Sequence, residues 1–219
     1  MTRTLATLLL LTTLATRAHA TPLPAPALDP PDSAPEATAL LSGGCFWGMQ
    51  GVFEHVKGVR RVYAGYTGGQ AGTAFYEDVS TGTTGHAESV QITFDPRVIS
   101  YGTILRIYLS DATDPTQLNA QGPDDGPQYR GEIWYETPTQ QRVAAGYIAQ
   151  LTHSRAFSAP IATRLDPAGP FYKAEAYHQD FMVNHPDYPY ILFNDAPKVA
   201  ALRADFPALY QATPITTST

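Results

Sequence analysis

The stretch Ala39-Leu40-Leu41-Ser42-Gly43-Gly44-Cys45-Phe46-Trp47-Gly48 decides the reading of this chain. Three apolar residues form a short strand. Two glycines turn it, and Met49, Val52, Phe53 and Val56 then recur at helical spacing on one face. Cys45 sits in that strand-to-helix turn and is the single cysteine of the 219 residues. No intramolecular disulfide can use it, so it is either a small buried hydrophobe or a reactive sulfur. At a helix start, backbone N–H groups and the helix dipole favour the thiolate, which is the nucleophilic form. Phe46 and Trp47 diverge around the helix, so at least one of them lines the space beside the sulfur.

Outward from this turn the pattern alternates. Gly58 ends the helix, and Val59 to Tyr66 is a second strand closed by Gly68-Gly69. Residues 67–86 read as a long functional loop. Glu88 to Phe94 alternates strictly as a third strand. Ser100 caps a helix carrying Tyr101, Ile104, Leu105 and Tyr108, and residues 119–128 form another polar loop. A fourth strand holds Ile133 to Tyr135, and Thr137-Pro138 opens a helix with Val143, Tyr147, Ile148 and Leu151. A strand near 161–165, a helix near 173–184 and a helix near 198–203 complete the chain. The order β-α-β-β-α-β is the split unit of ferredoxin-like sheets. The expected fold is an α+β two-layer sandwich with additional C-terminal helices and coil.

The ends read differently. Arg3, the apolar run from Leu5 to Ala15 and Ala18-His19-Ala20 make residues 1–20 a secretory signal peptide, cut after Ala20. Residues 21–38 are a Pro/Ala-rich linker, 39–210 the domain, and 211–219 a disordered tail. Without residues 1–20 the chain has 12 basic against 20 acidic side chains, a formal charge of about −8. Such a surface disfavours nucleic acid and anionic membrane. The expected state is a monomer, periplasmic or secreted.

Glu88 shares parity with Val90, Ile92 and Phe94. Either it lies on their buried face, where its pKa would rise and it could serve as a general acid, or the strand begins after it and it is solvated. Tyr76 and Tyr129 sit among polar loop residues, where packing and hydrogen bonding to a ligand are both open. Asp124, in Gly122-Pro123-Asp124-Asp125-Gly126, suits a turn. His86 belongs to the same face as Glu88 or to the loop. The histidines show no metal spacing, and His178 and His185 stand seven apart.

Five collinear motifs resemble the peptide methionine sulfoxide reductase A family: Gly44-Cys45-Phe46-Trp47-Gly48, Gly65-Tyr66-Thr67-Gly68-Gly69, Thr84-Gly85-His86-Ala87-Glu88, Gly126-Pro127-Gln128-Tyr129-Arg130, and Phe171-Tyr172 through Tyr177-His178-Gln179. The resemblance spans roughly 39–210. It implies thiol-dependent reduction of the S epimer of methionine sulfoxide, free or in peptides, as repair of oxidative damage. In that reading Cys45 attacks the sulfoxide sulfur and becomes a sulfenic acid. Glu88 protonates the oxygen, Tyr76 and Tyr129 hydrogen-bond it, and Asp124 helps through water. Phe46 and Trp47 cradle the methyl group. No cofactor or metal is bound. Many relatives carry resolving cysteines near the C-terminus, and this chain has none. Its reductant would be an external thiol: thioredoxin, glutaredoxin with glutathione, or similar. Thr113 and Pro123 also depart from the family pattern, where His and Asn are common.

Two other readings remain. One is a papain-type cysteine hydrolase with His178 as base and Asn184 or Asn194 as its orienter. The other is a non-catalytic peptide-binding module with an aromatic slot.

Overall fold

The computed structural model describes residues 22–217, and the expected signal peptide lies outside them. Strand β1 (Ala37–Ser42) leads into α1 (Phe46–Glu54) and β2 (Val59–Thr67). A one-turn helix α2 (Tyr76–Val79) precedes β3 (Ala87–Phe94) and α3 (Tyr101–Ile107). A small ladder pairs β4 (Ala120–Gln121) with β5 (Asp124–Asp125). Then come β6 (Glu132–Tyr135), α4 (Pro138–His153), β7 (Arg164–Pro167), β8 (Tyr172–Lys173), α5 (Phe181–Asn184) and α6 (Ala196–Asp205).

The main sheet runs β7-β6-β1-β3-β2-β8. Its middle four strands are the strands of the split unit, each antiparallel to its neighbours. The α+β architecture read from the sequence is therefore observed, with β8 added at one edge and β7, parallel to β6, at the other.

Strand parity builds the layers. Ala39 and Leu41 of β1 and Val90 and Ile92 of β3 join α1 Val52 and Phe53, α3 Ile104 and Leu105, and α4 Val143 and Tyr147 in the main core. Leu40 points the other way, to a smaller cluster with Ala87 and Trp134, covered by Ala168 and Phe171. Both long-range helix starts are capped as expected. Ser100 Oγ accepts from Thr103 N at 3.2 Å, and Thr137 Oγ1 accepts from Gln140 N at 3.1 Å.

The structure corrects four expectations outside the split unit. From Pro22 onward the supposed linker is a strap laid on the domain. Tyr147 donates its hydroxyl to Pro24 O at 2.8 Å, Gln150 clasps Ala25 O and Ala27 N, and Asp29 Oδ1 accepts from Gly102 N at 3.0 Å in the first turn of α3. Prolines discourage helix and strand without preventing such docking. Residues 211–217 of the supposed tail are also docked: Gln211 N donates to His55 O, Ile215 N to Glu54 O, and Thr217 N and Oγ1 to Asp180.

The helix expected near 173–184 is broken. Tyr172 and Lys173 pair with β2, and Asp180 adopts φ 54°, a left-handed value that ends any continuous helix before α5. The strand expected at 161–165 instead begins at Arg164. Ala162 and Thr163 spend their N–H groups on Pro115 O before the parallel register with β6 starts.

Candidate active site

Cys45 occupies the N-cap position of α1 but makes no side-chain cap bond, which leaves its sulfur facing the adjoining pocket. Gly44 N donates to Tyr129 O at 3.1 Å, tying the turn to the segment before β6. Gly44 has φ +80°, and a Cβ there would stand 2.7 Å from Gln121 Cβ. Gln121 is held by Asp114, whose N–H donates to Oε1 and whose carbonyl accepts from Nε2, both at 2.8 Å. The Thr113-Asp114 turn thus supports the Cys45 turn through Gln121. Thr113 itself bonds Tyr108 O at 2.9 Å, so its departure from the family pattern is accommodated locally.

Parity places Glu88 where the buried reading required. Its Oε2 accepts from Phe46 N at 3.0 Å, and the residue is 3% exposed. Burial raises its pKa to about 8, against the pull of the Phe46 N–H, while Asp124 and Asp195 raise it further. Glu88 is a carboxylic acid at neutral pH.

Cys45 corrects an expectation. The Trp47 N–H does favour its thiolate, as a helix start should. Burial outweighs that pull, and the charges of Glu88 and Asp195 add to it, so the pKa is driven well above that of a free thiol. The resting sulfur is a thiol.

A pocket of about 210 Å³ brings together Cys45, Phe46, Trp47, Tyr76, Glu88, Asp124 and Tyr129, every site residue that the family resemblance implied, and adds Tyr190. A larger cavity of about 280 Å³ lies under the strap, among Asp29, Tyr101, Glu136 and Gln140, and contains none of them.

Both aromatic neighbours of Cys45 face the pocket because His178 anchors them together. Trp47 Nε1 donates to His178 Nδ1 at 3.0 Å. The Phe46 ring centroid lies 4.9 Å from that imidazole, and the Tyr76 ring 4.6 Å. Phe181 stacks on Trp47 at 3.7 Å and 7°, and Tyr190 meets the indole edge-on at 6.0 Å.

The phenols are placed by partly buried polar ties. Tyr76 N donates to Glu175 Oε1 at 3.0 Å, and Tyr66 OH donates to Glu175 Oε2 at 2.9 Å. Tyr129 is the last residue of a 3₁₀ turn braced by Arg130, which donates to Pro127 O, His86 O and Gly85 O and pairs with the fully buried Glu132. Tyr190 donates its hydroxyl to Asp124 Oδ2. Burial, together with the negative charge of Glu88, raises the pKa of Tyr76 and Tyr129, so both stay protonated donors.

Tyr190, His178 as the ring anchor, Glu175 and Asp195 were not foreseen in these roles. Tyr188-Pro189-Tyr190 has neither strand nor helix period, and only the tertiary placement of that segment brings the last ring to the pocket. His86 proves structural: Gly69 N donates to its Nδ1 at 3.2 Å, and its Nε2 faces Gln70 O at 3.0 Å.

The hydrolase constellation does not assemble. His178 Nδ1 is taken by Trp47, burial lowers its pKa, and His178 does not line the pocket. Asn184 Nδ2 turns to Gln179 O. Among the described residues no group of three or more His, Cys, Asp or Glu side chains could hold a metal ion. No helix among them is long and apolar enough to cross a membrane.

The family model described as peptide methionine sulfoxide reductase matches residues 37–209. Peptide methionine sulfoxide reductase MsrA 2 of Mesorhizobium japonicum is 55% identical over 178 residues, covering 81% of this chain and 91% of the relative. MsrA of Thermus thermophilus is 45% identical over 175 residues, covering 80% and 98%. Among solved structures, reduced Mxr1 from Saccharomyces cerevisiae has a TM-score of 0.64 at 26% identity, covering 74% of this chain and 92% of its own. Methionine sulfoxide reductase A of Corynebacterium diphtheriae has a TM-score of 0.58 at 29% identity, covering 76% and 84%. With the family model spanning nearly the whole folded unit and relatives this similar, the chain belongs to the peptide methionine sulfoxide reductase family.

Proposed function

We propose that this pocket takes the methylsulfinyl end of the S epimer of methionine sulfoxide, from the free amino acid or from peptides, and returns methionine. One observation carries the assignment of roles: a protonated carboxyl, a nucleophilic sulfur and an aromatic wall share one pocket of about 210 Å³. A sulfoxide oxygen leaves only once protonated, and its methyl group needs an apolar slot.

Glu88 gives its proton to the sulfoxide oxygen as Cys45 Sγ bonds to the sulfoxide sulfur, and the thiol proton passes back to Glu88. Tyr76 and Tyr129 donate hydrogen bonds to the oxygen as charge develops on it. Asp124, tied to Tyr190, orients water on the same side. Phe46 and Trp47 hold the methyl group. A second proton from Glu88 lets the oxygen leave as water. A water then attacks Sγ and gives one proton back to Glu88, the sulfur–sulfur bond breaks towards methionine, and Cys45 is left as a sulfenic acid. In net, sulfoxide and thiol become thioether and sulfenic acid. Two electrons move from the Cys45 sulfur to the substrate sulfur.

These 219 residues contain no second cysteine to resolve the sulfenic acid. An external thiol condenses with it, releasing water, and a second thiol frees Cys45 as the external disulfide forms. Thioredoxin, or glutaredoxin with glutathione, are the reductants the reading supports. The apolar run and Ala18-His19-Ala20 support export, and hence repair in the envelope or outside it.

The test is turnover of a peptide carrying resolved S or R sulfoxide, with dithiothreitol as reductant. The S epimer alone should yield methionine, and Cys45→Ser should yield none. Equal use of both epimers would refute the pocket assignment.

A further inference from the structure

Asp195 is fully buried, and no step above uses it. It closes the π-helical turn Ile191–Asp195 just before α6. Its Oδ1 accepts from Lys198 Nζ at 3.2 Å. The same oxygen lies 2.1 Å from where a Cβ on Gly48 would stand, so the carboxylate rests on bare backbone in the first turn of α1. Its Oδ2 has no hydrogen-bond partner among the described residues. A buried carboxylate with one oxygen unsatisfied is costly, and an apolar side chain of similar volume would fill the space more cheaply.

We propose that Asp195, held by Lys198, is a positioning residue that keeps Glu88 loaded with its proton by placing negative charge behind the Cys45 turn. This rests on Glu88 being the acid and Cys45 the nucleophile. Asp195 lies against Gly48 in the first turn of α1, the same turn that Cys45 opens and whose Phe46 N bonds Glu88. The groups its charge acts on are Cys45, Glu88 on β3, Asp124 on β5, Tyr190 ahead of the π turn, and Lys198 on α6. Of these, Lys198 alone is a cation. It holds Asp195 beside the site, while the acids oppose one another's ionisation. The arrangement retains the donor's proton and accepts a less acidic thiol in return.

The experiment compares wild type with Asp195→Asn, and with Asp195→Ser, which removes the same charge in a smaller volume. Iodoacetamide alkylation of Cys45 at pH 8 should be about threefold faster or more, because losing the charge favours the thiolate, the form that is alkylated. The alkaline midpoint of kcat/KM should move to lower pH, by about half a unit. A merely structural role would lower kcat with neither change. Unaltered alkylation and midpoint in either soluble variant would overturn the proposal. Altered alkylation with an unmoved midpoint would instead remove Glu88 from the acid role.

Discussion

Replacing Glu88 by Gln isolates the proton from the fold. The amide carbonyl can still accept the 3.0 Å bond from Phe46 N, so α1 keeps its start, but no proton can be handed on. With a pKa of about 8, wild-type Glu88 is about ten parts acid to one part carboxylate at pH 7 and the reverse at pH 9. Wild-type kcat/KM should therefore fall about tenfold between those pH values. The variant should lose about 10²–10⁴ in rate at pH 7, or about 3–5 kcal/mol of barrier. Its pH dependence should also change sense. The remaining titration is Cys45, whose thiolate increases with pH, so the residual rate should rise from pH 7 to 9. The assay is chromatographic measurement of methionine formed from a sulfoxide peptide with excess dithiothreitol. A variant within tenfold of wild type, or one still losing activity through pH 8, would refute the reasoning.

Three further outcomes concern the frame around the site. Gly48→Ala drives a methyl group into the buried Asp195–Lys198 pair and should cost about 1–3 kcal/mol of stability in urea titration, with a loss of activity. Asp29→Ala removes an acceptor from the first turn of α3 and should cost about 1 kcal/mol in urea unfolding, where a free linker would cost nothing. Glu54 is buried beside Asp180, and burial, with the neighbouring Asp180 carboxylate, raises its pKa to about 9. Its folded value lies above its unfolded one, so its contribution is fully present below about pH 4.5 and is lost as pH rises through about 9. Glu54→Gln should flatten that decline in thermal melts recorded from pH 5 to 9.

The split unit was legible because its signals are local. Alternation at Glu88, Val90, Ile92 and Phe94 marked the strand, while a buried or solvated place for the acid stayed open until β3 proved to begin at Ala87, and Ser100 and Thr137 marked helix starts by capping chemistry. Residues supplied by the C-terminal coil were not legible. Tyr190 reaches the pocket from the segment just ahead of a π turn, and His178 gains its role by lying against Phe46, Trp47 and Tyr76 at once, which no spacing encodes. Asp195 reads as an ordinary polar residue ahead of Ala196-Pro197. The state of Cys45 was misjudged for a related reason. A helix start is visible in the sequence, whereas the burial and the carboxylates that oppose its effect arrive from β3 and the C-terminal segment. Prolines in 22–38 suggested a free linker because composition reports local propensity, not the carbonyls that Tyr147 and Gln150 capture.

The most direct measurement mixes stoichiometric enzyme with S-sulfoxide peptide in the absence of any reductant and quantifies methionine together with the dimedone adduct of Cys45. The account predicts one methionine per enzyme and an equal yield of adduct at Cys45. Methionine without the adduct, or an undiminished burst from Cys45→Ser, would contradict it.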